Sequence, residues 1–560
     1  MAGMDAQQVG WVEAVKADTH RQRVYDGYRY AQPILRLVRP LFLTRFLVRC
    51  MLALLALVGT AASAELKIAL SADITSLDPH YLAAQPNINI GWHVFDALTR
   101  VDARARLIPG IATSWRAVDA TTWEFRIRKG IRFHDGSELT AADVAFSLER
   151  PLSIAGSPGG FASFVRPIVA KEIVDPYTIR LRTAAPYGAL PQDLNSILIV
   201  SKKAAANATS EDFNSGRAMI GSGPYRFVRF ARGDRVELTR FDGHWEAPAA
   251  WDKVTFRLLP TDPARTAALL AGDVDVIENV PTADLARLRG NPKYRLAQAV
   301  SWRTLFFHLD QYRARPPLIT DKTGKPLAAN PFRDVRVRRA ISKAINRPAL
   351  VERVMEGAAV PASNVVSPQI FGHNAELKAE AYDPDGAKKL LAEAGYPDGF
   401  GLTVAAPNNR YVNDDQVAQT VAQMLSRIGI RARVETLPLS VYLTKVRDQQ
   451  FSFAMLGWGS YSADLALRSL LAGVDPGKGY GTWNWGRYSN PRLDRLIEQA
   501  LATVDEKKRE AIAREAGAVV ADDVAVIPLY HQIATWAMKQ NIGYTARTDE
   551  FTLAHEFRPQ

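Results

Sequence analysis

Apolar and polar side chains alternate one for one from Trp123 to Arg128, with Trp123, Phe125 and Ile127 on one side and Glu124, Arg126 and Arg128 on the other. A period of two predicts a strand with one buried face. His134-Asp135-Gly136 reads as a turn. Thr140, with Asp143 three residues on, predicts a helix start, because each side chain can satisfy an amide that the first turn leaves free. Farther along, Val335 to Asn346 has the pattern of a basic amphipathic helix. Tyr382 to Tyr396 predicts another, with Asp383 as cap, Pro384 in the first turn and Gly395 as stop. Phe451 to Leu456 reads as an apolar strand that delivers Gly457-Trp458-Gly459 to a turn, and Ala406 to Asn413 as a loop entering a helix that ends near Arg427-Ile-Gly-Ile430. Strand-like and helix-like segments alternate throughout, which predicts an α/β chain.

The amino end has a different pattern. Arg45 and Arg49 precede the apolar run Met51 to Val58, and Ala62-Ser63-Ala64 follows. Basic region, apolar core and small-x-small site are the order of a secretory signal peptide, here about residues 41–64. The apolar run is too short for a membrane span, which needs about 20 residues. Residues 1–40 are polar and mixed in charge, unlike a signal region, and are read as the product of a start assigned too early, the alternative being a genuine amino-terminal extension. The single cysteine, Cys50, lies in this leader. It follows Val48-Arg49, a poor context for lipid attachment. A chain starting at Glu65 would then have no thiol for a disulfide, catalysis or metal binding. A freely secreted product needs an outer membrane to retain it, so the expected location is the periplasm of a Gram-negative cell.

Charge narrows the partners. The whole chain carries a formal +12. The leader holds eight Lys or Arg against four Asp or Glu, which leaves about +8 for the remainder. These basic residues are scattered and form no nucleic-acid motif, so no nucleic-acid partner is expected. The remaining chain is too long for one core and implies two or three domains.

The string from Trp115 to Arg150 closely resembles the signature of the family 5 extracellular solute-binding proteins, the peptide- and nickel-binding receptors of ABC importers. Further segments match in order: Asp73 to Pro79, Val94 to Val101, Leu107 to Trp115, Gly221-Ser-Gly-Pro-Tyr225, Ala271 to Val276, Val335 to Asn346 and Tyr382 to Tyr396. The resemblance implies a bilobal periplasmic-binding-protein fold with a hinge and an extra inserted domain. Lobe one would take residues 65–100, 216–304 and 524–560, the inserted domain 101–215, and lobe two 305–523. The lobes would close over a ligand as a hinge motion. The expected partners are a peptide or small solute and the permease subunits of an ABC transporter, with the receptor a monomer.

The chemistry expected is binding. There is no His-Glu-x-x-His, no Gly-x-Ser-x-Gly and no phosphate-binding loop ending in Gly-Lys-Ser or Gly-Lys-Thr. The nine histidines are dispersed, and His134 is read as a turn residue. No cofactor and no metal site are expected. Arg410, beside Tyr411, offers a rigid fork of donors suited to a carboxylate, and in dipeptide-binding relatives an arginine of this loop holds the ligand's carboxylate. Trp458 supplies a flat apolar wall, and Gly459 lets backbone approach a ligand. Trp483 and Trp485, in the Gly-rich loop 477–486, are candidates for the same cleft. Peptide-binding relatives carry an aspartate three residues after the tryptophan, pairing with the peptide's amino group. Tyr461 stands there in this chain, and the next acid is Asp464. Either Asp464 takes over, or the ligand lacks a free amine. Three readings follow: a receptor for a peptide or peptide-like solute, the same fold binding an opine, a sugar or a metal chelate, and a secreted hydrolase.

Overall fold

The computed structural model describes residues 64–157 and 160–560. Of the leader read from the sequence only Ala64 is among them, and Cys50 lies outside. No helix of the described residues is long and apolar enough to cross a membrane.

One twelve-stranded mixed sheet runs through the molecule. Its spine is a pair of long antiparallel strands, Tyr294–Leu309 and Val526–Lys539. On one side lie the parallel strands Glu65–Leu70 and Lys253–Leu258 with the hairpin Tyr225–Ala231 and Arg235–Arg240. On the other lie Phe453–Gly459, Gly401–Pro407 and Arg431–Leu437. The two long strands pair in register from Tyr294 to Val300 and again from Thr304, with a break between. Ser301, Trp302 and Arg303 occupy that break, and the Trp302 amide turns away to the Thr548 carbonyl at 2.8 Å.

A separate four-stranded sheet contains the strand predicted from alternation, Thr122–Ile127, between Ala112–Ala117 and Thr178–Thr183, with Ile168–Asp175 at the edge. Phe125 and Ile127 are buried as expected. Glu124 is buried as well, because the flanking strands lay arginines over it: Arg116 Nη2 donates to Oε1 at 2.7 Å and Arg180 Nε to Oε2 at 2.9 Å. The core beneath this sheet continues into the helices Ala463–Leu470, Pro491–Ala502 and Glu506–Asp522 through Leu467, Leu493 and Ile497.

The signature turn packs as a joint. Nε2 of His134 lies 3.0 Å from the Gly223 carbonyl, and the Gly221 amide donates to Nδ1. A Cβ on Gly221 would overlap the Val94 carbonyl oxygen, so the close approach needs glycine there. Two segments differ from expectation. The helix at Val335 ends at Ala344, because Asn346 caps the next helix, Arg347–Arg353, by accepting the Ala349 amide at 3.0 Å. Gly457-Trp458-Gly459 does not enter a turn: it stays in the strand, paired with Leu305, Thr304 and Arg303.

Six buried histidines, His555 among them, set the acid limit of this fold. Burial pushes His80, His93 and His134 down to about 4, and His308 and His531 to about 3. A depressed pKa means that the unfolded chain takes up protons before the folded one. Their contribution is therefore full above about 6.5 and is lost as pH falls from there through about 4 to 3, at about 3 to 5 kcal/mol each. Asp414, raised by burial to about 6, and Glu556, also raised by burial, work the other way but are two groups against six. The melting temperature is expected to fall steeply between pH 6.5 and 4. A flat or rising profile across that window in calorimetry would contradict the assignment of neutral buried histidines.

Candidate ligand site at the strand crossover

The loop carrying Arg410 joins strand Gly401–Pro407 to helix Asp414–Ser426. It is pinned from the helix side. Asp414 Oδ2 accepts the amides of Arg410 and Tyr411 at 2.9 and 3.0 Å, and Oδ1 that of Asp415 at 3.0 Å. Burial outweighs those three donors and raises Asp414 to about 6. Asn413, in the left-handed region at φ 55, donates through its amide side chain to the Val354 carbonyl and Thr282 Oγ1. The backbone around Arg410 is thus fixed from several sides, which is what a positioned binding group requires.

The Arg410 side chain is not satisfied. Its guanidinium carbon lies 5.4 Å from the Tyr411 ring centroid, and among the described residues it makes no side-chain hydrogen bond or ion pair. Burial, and after it the positive charge of Arg303, weaken its hold on its proton. Arg303 sits in the strand break and is fully engaged. Its Nε lies 3.1 Å from both Glu550 oxygens, and Ser301 Oγ donates to the same carboxylate at 2.6 Å. Despite burial, Arg303 and Ser301 hold Glu550 below the ordinary glutamate range. The Tyr411 hydroxyl donates to the Gly457 carbonyl at 3.2 Å, and the Arg303 guanidinium carbon lies 5.9 Å from the centroid of the same ring. Arg410, Tyr411, Gly457 and Arg303 therefore form one cluster at the crossover.

Gly459 faces Trp302, whose indole occupies the space a Cβ would need. Trp458 points to the opposite face of the strand, as successive residues do. It begins an aromatic ladder, Trp458 to Trp483 at 5.4 Å and Trp483 to Trp485 at 5.6 Å between centroids. Trp485 ends the ladder against His308 and Tyr442. The indole nitrogens of Trp302 and Trp458 are buried with no acceptor among the described residues.

Tyr461 and Asp464 lie elsewhere. The Tyr461 hydroxyl donates to Asp193 Oδ1 at 2.8 Å. Asp193 is also held by Arg468 Nη2, at 2.9 and 2.8 Å to its two oxygens, and by the Tyr187 hydroxyl at 2.5 Å. Asp464 is 1% exposed, and its Oδ2 lies 3.6 Å from Arg509 Nε. Arg509 in turn donates to the Gly188 carbonyl and the Gln192 side chain. Both residues thus belong to the joint between the 187–193 segment and the helices that follow Tyr461. Sequence reasoning did not find Arg303, Glu550, Trp302, Asp193 or Arg468. The first pair is separated by 247 residues, and no local pattern carries such a contact. Among the described residues no group of three His, Cys, Asp or Glu is placed to hold a metal.

Comparison with known proteins fits this architecture. Residues 106–471 match the model of the bacterial extracellular solute-binding proteins, family 5. The chain is 27% identical to the dipeptide-binding protein of Escherichia coli K12 over 469 residues, 78% of this chain and 83% of that one. Its fold resembles the periplasmic binding protein DppA of Helicobacter pylori, solved with a peptide, at a TM-score of 0.76 and 23% identity, covering 89% of this chain and 98% of that one. It also resembles the binding protein MoaA of A. tumefaciens R10, solved with mannopinic acid, at a TM-score of 0.74 and 23% identity, covering 89% and 100%. With a bilobal α/β fold and the family match running from residue 106 to residue 471, the chain belongs to the family 5 bacterial extracellular solute-binding proteins.

Proposed function

We propose that this protein is a periplasmic receptor that captures a peptide or peptide-like solute between two lobes and delivers it to the permease of an ABC transporter. The observation that carries the reading is Arg410: a donor fork on a fixed loop, deprived of a carboxylate partner, beside Tyr411 and the strand break. The printed ligands of the dipeptide-binding relative and of the peptide-bound neighbour support a peptide. The lobes are those drawn from the sequence, 65–100 with 216–304 and 524–560, against 305–523, with 101–215 inserted. The break at Ser301–Arg303 is the natural hinge, since strand pairing is interrupted there. The receptor works as a monomer, and capture needs no nucleotide and turns over no substrate.

A second reading, a non-peptide solute, is favoured by Tyr461. Its hydroxyl is consumed by Asp193 and leaves no acid at the position where peptide-binding relatives hold an amine. The neighbour solved with mannopinic acid supports the same alternative.

Protein recovered from the periplasm is expected to begin at Glu65, and a pool of di- and tripeptides should make it more compact in solution scattering. Binding to the folded state alone stabilises it by about 2.7 kcal/mol at a hundred times Kd, so the melting temperature should rise in step. An uncut leader would end the periplasmic assignment. An unchanged radius of gyration with a measured thermal shift would end the closure mechanism.

A further inference from the structure

Two helix starts meet across the proposed lobe boundary, and neither spends its side chain on its own helix. Asn413 holds the N-cap position of Asp414–Ser426, where an asparagine ordinarily accepts an amide of the first turn. Here it makes no such bond. Its Nδ2 donates to the Val354 carbonyl at 2.7 Å and to Thr282 Oγ1 at 3.0 Å. Thr282 opens the lobe-one helix Thr282–Arg289, and its buried hydroxyl makes no cap there either. It donates to Glu356 Oε1 at 3.4 Å. Glu356, like Asn413, stands in the left-handed region, at φ 48. That backbone is uncommon outside glycine, and residues held in it gather at sites where the strain serves a purpose. A forgone cap and two left-handed residues each lower stability, and all of them converge on one hydroxyl of the other lobe.

Around Thr282 the lobes are thinly joined. A cavity of about 240 Å³ is lined by Leu285 and Arg289 of the helix, by Glu356 and Ala358, and by Val300 and Ile533 of the long strands. Among the described residues, Ala358 is the one member of lobe two in the apolar cluster beneath this helix. The side-chain hydrogen bonds from the helix to lobe two, among the described residues, all pass through Thr282.

We propose that Thr282, Asn413 and Glu356 form a latch between the lobes, which favours the closed arrangement before solute arrives and ties closure to the loop that carries Arg410. The inference rests on the two-lobed receptor reading above but not on the solute being a peptide. The closed fraction multiplies the intrinsic affinity, so Thr282 acts as a positioning residue that strengthens capture without touching the solute.

The chain from Glu65 has no cysteine of its own. Spin labels at Asp273→Cys in lobe one and Lys389→Cys in lobe two, both exposed positions, let double electron–electron resonance read the distance between the lobes. Thr282→Val keeps the shape and removes the hydroxyl, Asn413→Gly keeps the left-handed backbone and removes the amide, and Thr282→Ser keeps the hydroxyl. Without solute, the ratio of closed to open populations is expected to fall about three- to tenfold in the first two variants, the worth of one or two neutral hydrogen bonds, and to hold in the third. Equal distributions in Thr282→Val and the unmodified chain would overturn the inference, as would an equal loss in Thr282→Ser. A pool of di- and tripeptides separates the two claims. If the variants shift but the pool leaves the unmodified chain unchanged, the latch stands and the peptide reading falls. If the pool closes every variant from one common ligand-free distribution, the latch falls and the receptor reading stands. A single fixed distance in every sample would overturn the latch together with the hinge.

Discussion

Arg410→Ala is expected to weaken solute binding about a hundred- to several-thousand-fold without loss of the fold. The physical basis is the state of the guanidinium before the solute arrives. It is half-buried beside Tyr411, its pKa is lowered by desolvation and by Arg303, and no described acid pairs with it. A bound carboxylate supplies the missing partner. Removing one member of a buried pair costs about 3–5 kcal/mol, because the other charge is left uncompensated, and each 1.4 kcal/mol is tenfold in Kd. Arg410→Lys should not restore affinity, since an ammonium lacks the planar fork and is harder to dehydrate. The ligand-free variants give an internal control. Deleting a half-buried charge that has no acid partner removes no ion pair from the empty receptor, so its melting temperature should hold while affinity collapses. A loss below tenfold in calorimetry would place Arg410 among ordinary loop arginines and leave the solute to stacking and backbone contacts around Trp458.

The parts of this molecule legible in its sequence are those in which cause and effect lie within a few residues. The alternation at Trp123 to Ile127 gives a strand because side chains in extended backbone must alternate, and the Thr140–Asp143 capping box forms because the first helical turn has free amides. Asp383 caps its helix by accepting the Gly386 amide at 2.8 Å, and Gly395 ends it in the left-handed region at φ 90. Reading fails where the neighbours are remote. Glu124 carries the polar half of a correct alternation, yet it is buried by arginines from two other strands. Gly457-Trp458-Gly459 looks like a turn, and it stays extended because Arg303 to Leu305 offers it a ladder. The choice between Asp464 and Tyr461 as a ligand contact had no local answer either. It depends on Asp193, Arg468 and Arg509, brought in from the 187–193 segment and from two helices.

That joint carries the other large effect. Asp193→Ala is expected to lower global stability by about 3–5 kcal/mol in denaturant titration, because it leaves Arg468 charged and without its acid in a site where both are buried. The tyrosines add to the cost: Tyr187 and Tyr461 both donate to Asp193, and each would lose its acceptor. Asp193→Asn should cost less, since an amide still accepts from one tyrosine but cannot answer the guanidinium. The double replacement Asp193→Leu with Arg468→Met separates electrostatics from packing. If the pair matters through uncompensated charge, the double variant should recover most of the stability lost in Asp193→Ala, as buried ion pairs replaced by apolar side chains of similar volume often do. If it recovers none, the joint is held by the geometry of its hydrogen bonds, and the tyrosine hydroxyls carry it. Solute affinity supplies the final check. Arg468 and Asp193 cancel each other's charge, so the double variant should bind solute within a few-fold of the unmodified receptor. A hundredfold loss there would mean that the Asp193 joint, rather than Arg410, sets the charge that the solute meets.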